Sequence, residues 1–217
     1  MNFKTKQGDY KKIFSILETV HQPTMLELFS NRSVFQQLVA VMLSARTKDS
    51  TVIPLAKRLF SSYPGPKEFL KIERKVLEKE LHGIGFYRVK AKNLQKLSQQ
   101  ILEEHQGIVP NNFEDLVKLP GVGRKTANCI LASTFRQPAI GVDTHVHRIS
   151  NRLGWVNTNV PEETEESLKQ KIPSELWIKV NPLLVDHGQR ICQPLKPKCD
   201  SCKIIEYCEY GKRYEEA

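Results

Sequence analysis

The chain has 217 residues, with 33 Lys and Arg against 24 Asp and Glu, a formal charge of +9. Its 40% apolar content supplies a core for one domain or two small ones, whereas its longest apolar run, Leu38 to Leu43, is far below the roughly 20 residues that span a bilayer. The opening MNFKTKQGDYKKIF carries no apolar leader, so membrane, secreted and disordered classes are excluded. A cytoplasmic monomer is expected, and the excess of Lys and Arg favours a polyanionic partner.

Helical periodicity runs through the chain. Tyr10, Ile13, Phe14 and Leu17 recur at i, i+3, i+4 and i+7. Phe35, Leu38, Val39, Met42 and Leu43 repeat the pattern, as do Val52, Leu55, Ala56, Leu59 and Phe60, the last set with Asp49 as its predicted N-cap. Leu94, Leu97 and Ile101, then Phe113, Leu116 and Val117, then Ala127, Ile130 and Leu131 mark three more helices. No sustained strand alternation occurs. The fold class is all-α.

Gly and Pro punctuate these helices. HGIGFYRVKAKNL and LPGVGRKTANCIL both read as an apolar helix end, a Gly-x-Gly turn and a basic helix start, a faint internal duplication. In the second, Pro120 stops one helix, while Gly121 and Gly123 permit positive φ or close backbone approach. Amides at the start of the following helix, beside Arg124, suit a phosphate. Such a helix–hairpin–helix is expected to grip the DNA backbone without reading sequence; an ordinary αα-hairpin turn is the alternative.

Lys125 falls in the first turn of that second helix, where the macrodipole disfavours a positive charge. That placement suits either a phosphate contact or a nucleophilic amine, which has to be neutral to attack. Asp143, eighteen residues further on, opens a new helix and caps it; it is structural, or it shares a cleft with Lys125. Of five cysteines, four form the pattern Cys192-x6-Cys199-x2-Cys202-x5-Cys208. Clustered thiols without a secretion signal suit one metal centre, zinc or iron–sulfur. Lys196 and Lys198 place positive charge on the intervening loop, whereas Cys129 reads as a buried small hydrophobe.

Taken together, MLSARTKD, GIGFYRVKA, LPGVGRKTAN, VDTHVHR and the cysteine tail resemble the endonuclease III family of base-excision DNA glycosylases, over nearly the whole chain. The resemblance implies two helical domains flanking a DNA-binding cleft: residues 24–137 as a six-helix domain with the hairpin, and residues 1–23 with 138–217 as a discontinuous cluster domain. It further implies Lys125 as Schiff-base nucleophile, Asp143 as essential carboxylate, and Cys192, Cys199, Cys202 and Cys208 as ligands of a 4Fe–4S cluster. Phe86, followed by basic Arg88, aligns with an apolar wedge entering the base stack; a core aromatic is the alternative. Arg46 stands where bacterial relatives commonly carry Gln, in the loop resembling the one that fills the duplex gap.

The expected activity is a bifunctional glycosylase and AP lyase on double-stranded DNA containing damaged pyrimidines or abasic sites. A monofunctional mismatch glycosylase is the first alternative, although such relatives typically lack Lys at position 125. A non-catalytic DNA-binding module is the second.

Overall fold

The computed structural model describes residues 7–215, which contain helices and turns and no strand. Residues 1–6, the start of the segment assigned to the cluster domain and of the stretch searched for a leader, lie outside the described residues. The chain divides into two compact units, Met25–Phe135 and Met1–Thr24 with Arg136–Ala217. Helix α1 (Gln7–Val20) belongs to the second unit.

The first unit runs α2 (Met25–Leu28), α3 (Val34–Ser44), α4 (Asp49–Ser62), α5 (Pro66–Lys71), α6 (Arg74–Glu80), α7 (Tyr87–Glu104), α8 (Phe113–Leu116) and α9 (Arg124–Ser133). Ser33 starts α3 by accepting the Gln36 amide at 3.3 Å. Every residue from Phe35 to Leu43 is buried, so α3 is the unit's central helix. Its two buried amides are satisfied: Gln36 donates to Pro64 O and Gln37 to Arg32 O, while Gln37 Oε1 accepts from Thr134 at 2.7 Å. Edge-on aromatic pairs tie the turn after α2 to α4, Phe29 with Phe60, and α3 to α5, Phe35 with Phe69. Asp49 is not the N-cap of α4. Lys48 holds that position without a side-chain bond, and Asp49 lies in the first turn, where its carboxylate complements the macrodipole.

The second unit continues with α10 (Thr144–Arg152), α11 (Pro161–Lys171), α12 (Trp177–Arg190) and α13 (Glu209–Glu215). The apolar stripe of α1, Tyr10, Ile13, Phe14 and Leu17, is buried in its core with Trp155. The Trp155 ring lies 5.0 Å from Tyr10 and 5.7 Å from Phe14. Trp155 is placed by the end of α10, where Gly154 at φ +75° donates to Asn151 O and Trp155 to Ser150 O, a Schellman motif. Asp186 of α12 accepts the Gln22 amide and an Arg190 pair, and Arg190 also donates to Val20 O at 2.6 Å. The last carbonyls of α1 therefore receive a cation from α12.

Candidate functional site

The hairpin between α8 and α9 separates the work of its two glycines. Gly121 has φ +83°, and a Cβ there would lie 2.8 Å from Met42 Cε and 2.9 Å from Asn93 Nδ2. Only a glycine lets the turn lie against α3 and α7 in this way. Gly123 has an ordinary φ of −93°, heads α9 as N-cap, and has nothing within 4 Å of its missing Cβ. An open backbone at a helix start suits an anion. Buried Val122 anchors the turn, Arg124 is exposed with its guanidinium 5.4 Å from the Phe113 ring centre, and Lys125 is half-buried in the first turn of α9.

A second cluster joins two turns of the same unit. Arg46 (φ +57°) follows α3 and Phe86 (φ +58°) precedes α7. Left-handed backbone at non-glycine residues costs about 1–3 kcal/mol each and collects at functional sites. The Arg46 guanidinium lies 5.1 Å from the Phe86 ring centre. Phe86 is 59% exposed and therefore takes no part in the core; Arg88 is exposed in the first turn of α7. Pattern reading gave no sign that Lys90 would be buried here, its Nζ donating to Leu43 O at 2.8 Å and Ala45 O at 2.6 Å.

In the other unit Asp143 is the N-cap of α10, and its Oδ1 accepts the His145 and Val146 amides at 2.8 and 2.9 Å. The cap uses one carboxylate oxygen and leaves Oδ2 out of it. Lys125 and Asp143 thus belong to different units, on the consecutive helices α9 and α10. Two arginines of α10, missed in the sequence, tie it to the cysteine segment. Arg148 donates to Cys192 O at 2.8 Å, and Arg152 to Gln193 O, Pro194 O and Cys192 Sγ. Their i, i+4 spacing on the Asp143 helix was the available signal.

Cys192, Cys199, Cys202 and Cys208 line one cavity together with Arg152 and His187. None of them forms a disulfide, and among the described residues no three acidic, His or Cys side chains converge to hold a single ion. Arg152 Nη1 and the Gly211 amide each reach a sulfur, of Cys192 and Cys208, at 3.3 Å. Burial pushes the Cys202 thiol up to about 11 and raises Cys208 too, so both are neutral thiols at ordinary pH and would ligate a metal only by giving up those protons to it. Burial also lowers His187 to about 4, leaving a neutral imidazole 3.7 Å from Cys202 Sγ. Lys196 and Lys198 are exposed on the loop that Lys198 N closes onto Ile191 O at 3.0 Å. Cys129 is buried in α9.

Residues 39–174 match the HhH-GPD superfamily of base excision DNA repair proteins. The chain is 46% identical over 179 residues to endonuclease III of Thermotoga maritima, covering 82% of this chain and 84% of that one. The chain belongs to the endonuclease III family. Another endonuclease III, from Rickettsia prowazekii, is 42% identical over 92% of this chain and 93% of its own. A solved trapped endonuclease III–DNA covalent intermediate superposes with a TM-score of 0.84 at 34% identity, covering 98% of this chain and all of that one. As a member of the endonuclease III family the protein is a base-excision repair enzyme, a DNA glycosylase with AP lyase activity. The superfamily match includes Lys125 and Asp143 and ends before the four clustered cysteines. No helix among the described residues is long and apolar enough to cross a membrane.

Proposed function

We propose that this endonuclease III relative removes oxidised pyrimidines from duplex DNA and cuts the strand 3′ to the resulting abasic site, with Lys125 as nucleophile. The damaged base leaves the stack, at a cost of a few kcal/mol that is smaller for damaged pairs. The neutral Lys125 Nζ then forms a bond to C1′ as the C1′–N bond breaks, and the electron pair departs with the base, which takes up a proton. Loss of a proton from nitrogen and opening of the sugar give an imine. The imine acidifies C2′; removal of that proton expels the 3′ phosphate by β-elimination. Asp143 stabilises the positive charge developing on the sugar and assists proton transfer, Oδ1 holding the helix cap while Oδ2 serves the reaction.

The observation that carries this reading is the half-buried Lys125 in the first turn of α9, directly after the open backbone of Gly123. A phosphate gripped at Gly121–Arg124 would set the sugar beside an amine whose cationic form the helix start disfavours. Gly121, Gly123 and Arg124 hold the backbone, while Arg46, Phe86 and Arg88 enter or flank the opened stack. Lys196 and Lys198 add phosphate contacts from the cysteine loop. The assignment of Met25–Phe135 as the hairpin domain and of the discontinuous unit as the cluster domain is part of this proposal, as is the cytoplasm as its compartment.

The cysteine cavity fits a 4Fe–4S cluster held by Cys192, Cys199, Cys202 and Cys208. Four thiols around one wall, met by N–H donors from Arg152 and Gly211, match the donor set of a multi-iron core. When bound, the cluster supplies folding energy and fixes the basic loop. Excision and elimination move no net electrons, so this chain's own side chains carry every step.

Borohydride trapping tests the central assignment. The wild-type protein should become covalently attached to lesion-containing DNA, and Lys125→Gln should abolish attachment and incision while retaining binding. A trapped Lys125→Gln adduct would move the nucleophile elsewhere. Base release by wild type without incision would replace this reading with a monofunctional glycosylase.

A further inference from the structure

We propose that Lys90 is a positioning residue for base excision, holding the Arg46 turn against the Phe86 turn so that both side chains meet the duplex as one preset unit. The inference rests on the reading of Arg46 and Phe86 as duplex contacts. Lys90 lies one helical turn after Phe86, and its amide donates to Phe86 O at 2.9 Å. From that point its side chain crosses to the C-terminal end of α3, where helix carbonyls lack intrahelical donors. The ammonium has three protons and three acceptors there: Leu43 O at 2.8 Å, Ala45 O at 2.6 Å and Thr47 Oγ1 at 3.4 Å. It is only 8% exposed, so water has little access to these bonds.

The other links between the turns depend on the same seat. Thr47 Oγ1 accepts the Gly85 amide at 3.1 Å. A Cβ on Gly85 would stand 2.8 Å from Arg46 O, so the two backbones touch without a side chain between them. Arg46 then covers the Phe86 ring. Both exposed residues hold left-handed φ values that an unsupported turn would relax. Burial lowers Lys90 to about 8, which leaves it protonated at neutral pH, so it supplies a charge-assisted brace behind them; its protons point to residues 43–47, and it acts through the turn rather than on DNA.

Wild type, Lys90→Met, Phe86→Ala and the double variant are compared in single-turnover excision from a duplex with one thymine glycol and in incision of a single strand with one abasic site. Lys90→Met should lose on the order of tenfold or more on the duplex, as expected for misplaced contacts, yet stay within about twofold on the single strand. In the Phe86→Ala background the Lys90→Met loss should largely vanish, because one device has already been removed. Hydrogen exchange should quicken at the amides of residues 45–48 and 84–87. Equal losses on both substrates, or additive losses in the double variant, would make Lys90 a general structural residue and overturn the proposal. An impaired Phe86→Ala beside a fully active Lys90→Met overturns it alone; a fully active Phe86→Ala overturns the duplex-contact reading and the proposal with it. Should Lys90→Met not fold, Thr47→Val, at a half-buried position, is judged by the same pattern.

Discussion

Gly121→Ala and Gly123→Ala change the same hairpin by the same methyl group and should have opposite consequences. At Gly121 the added Cβ must adopt φ +83°, a strain of about 1–2 kcal/mol for a residue with a side chain. It would also meet Met42 Cε at 2.8 Å and Asn93 Nδ2 at 2.9 Å, and such overpacking costs about 1–3 kcal/mol. The sum is a loss of about 2–5 kcal/mol, a large share of the stability of a small unit. At Gly123 φ is −93° and the space is open; the gain of about 0.4–1 kcal/mol through the unfolded state is offset because alanine is a poorer N-cap than glycine, so stability should move by less than about 1 kcal/mol. Urea unfolding followed by circular dichroism reads the first difference as a shift in midpoint at constant slope. Fluorescence anisotropy with a duplex containing an abasic-site analogue reads the second. Gly123→Ala should bind more weakly because its methyl group occupies the face offered to a phosphate. A Gly121→Ala protein as stable as wild type would refute the packing argument, and wild-type affinity in Gly123→Ala would refute the phosphate argument.

Asp143→Asn keeps a cap-competent oxygen, so stability and DNA affinity should hold while turnover collapses; Asp143→Ala should lose the cap as well, about 0.5–2 kcal/mol in unfolding. At Asp186, burial raises the carboxyl pKa, but the Arg190 guanidinium and the Gln22 amide outweigh it and hold the group below the usual carboxylate range. Its stabilising contribution is therefore full above the unfolded value of about 3.9 and is lost as pH falls through the lower folded value. Melting temperatures of wild type and Asp186→Asn should differ at neutral pH and converge in acid; a gap that widens on acidification would reverse the sign. Native protein should carry iron and absorb broadly near ~400 nm, and Cys202→Ser should lose both signals and melt earlier. Stoichiometric zinc without iron would replace the cluster.

The apolar stripes were legible because helical burial leaves a direct trace in residue order: Tyr10, Ile13, Phe14 and Leu17 are all buried as spaced. The hairpin glycines were equally visible, though not their division of labour, since crowding at Gly121 comes from Met42 and Asn93, which are distant in sequence. Asp49 was assigned one position too early because Asp is favoured both at the cap and in the first turn. Lys90, Arg148 and Arg152 look like ordinary surface cations in sequence. What distinguishes them is their carbonyl acceptors, between 40 and 47 residues away along the chain, a relation that no local pattern records.

The discontinuous unit imposes an order on synthesis. Met25–Phe135 is contiguous and can close as soon as its last residues leave the ribosome. Helix α1 emerges before any of it, yet the Trp155 ring and the α12 side chains that cover its apolar stripe come more than a hundred residues later. At roughly 5–20 residues per second, Tyr10, Ile13, Phe14 and Leu17 wait on the order of ten seconds for their partners. Throughout that interval the nascent chain presents a greasy amphipathic helix beside an already finished neighbour. Helix α1 is thus made before every other described helix and buried among the last of them, which makes its apolar stripe a binding surface for chaperones during synthesis.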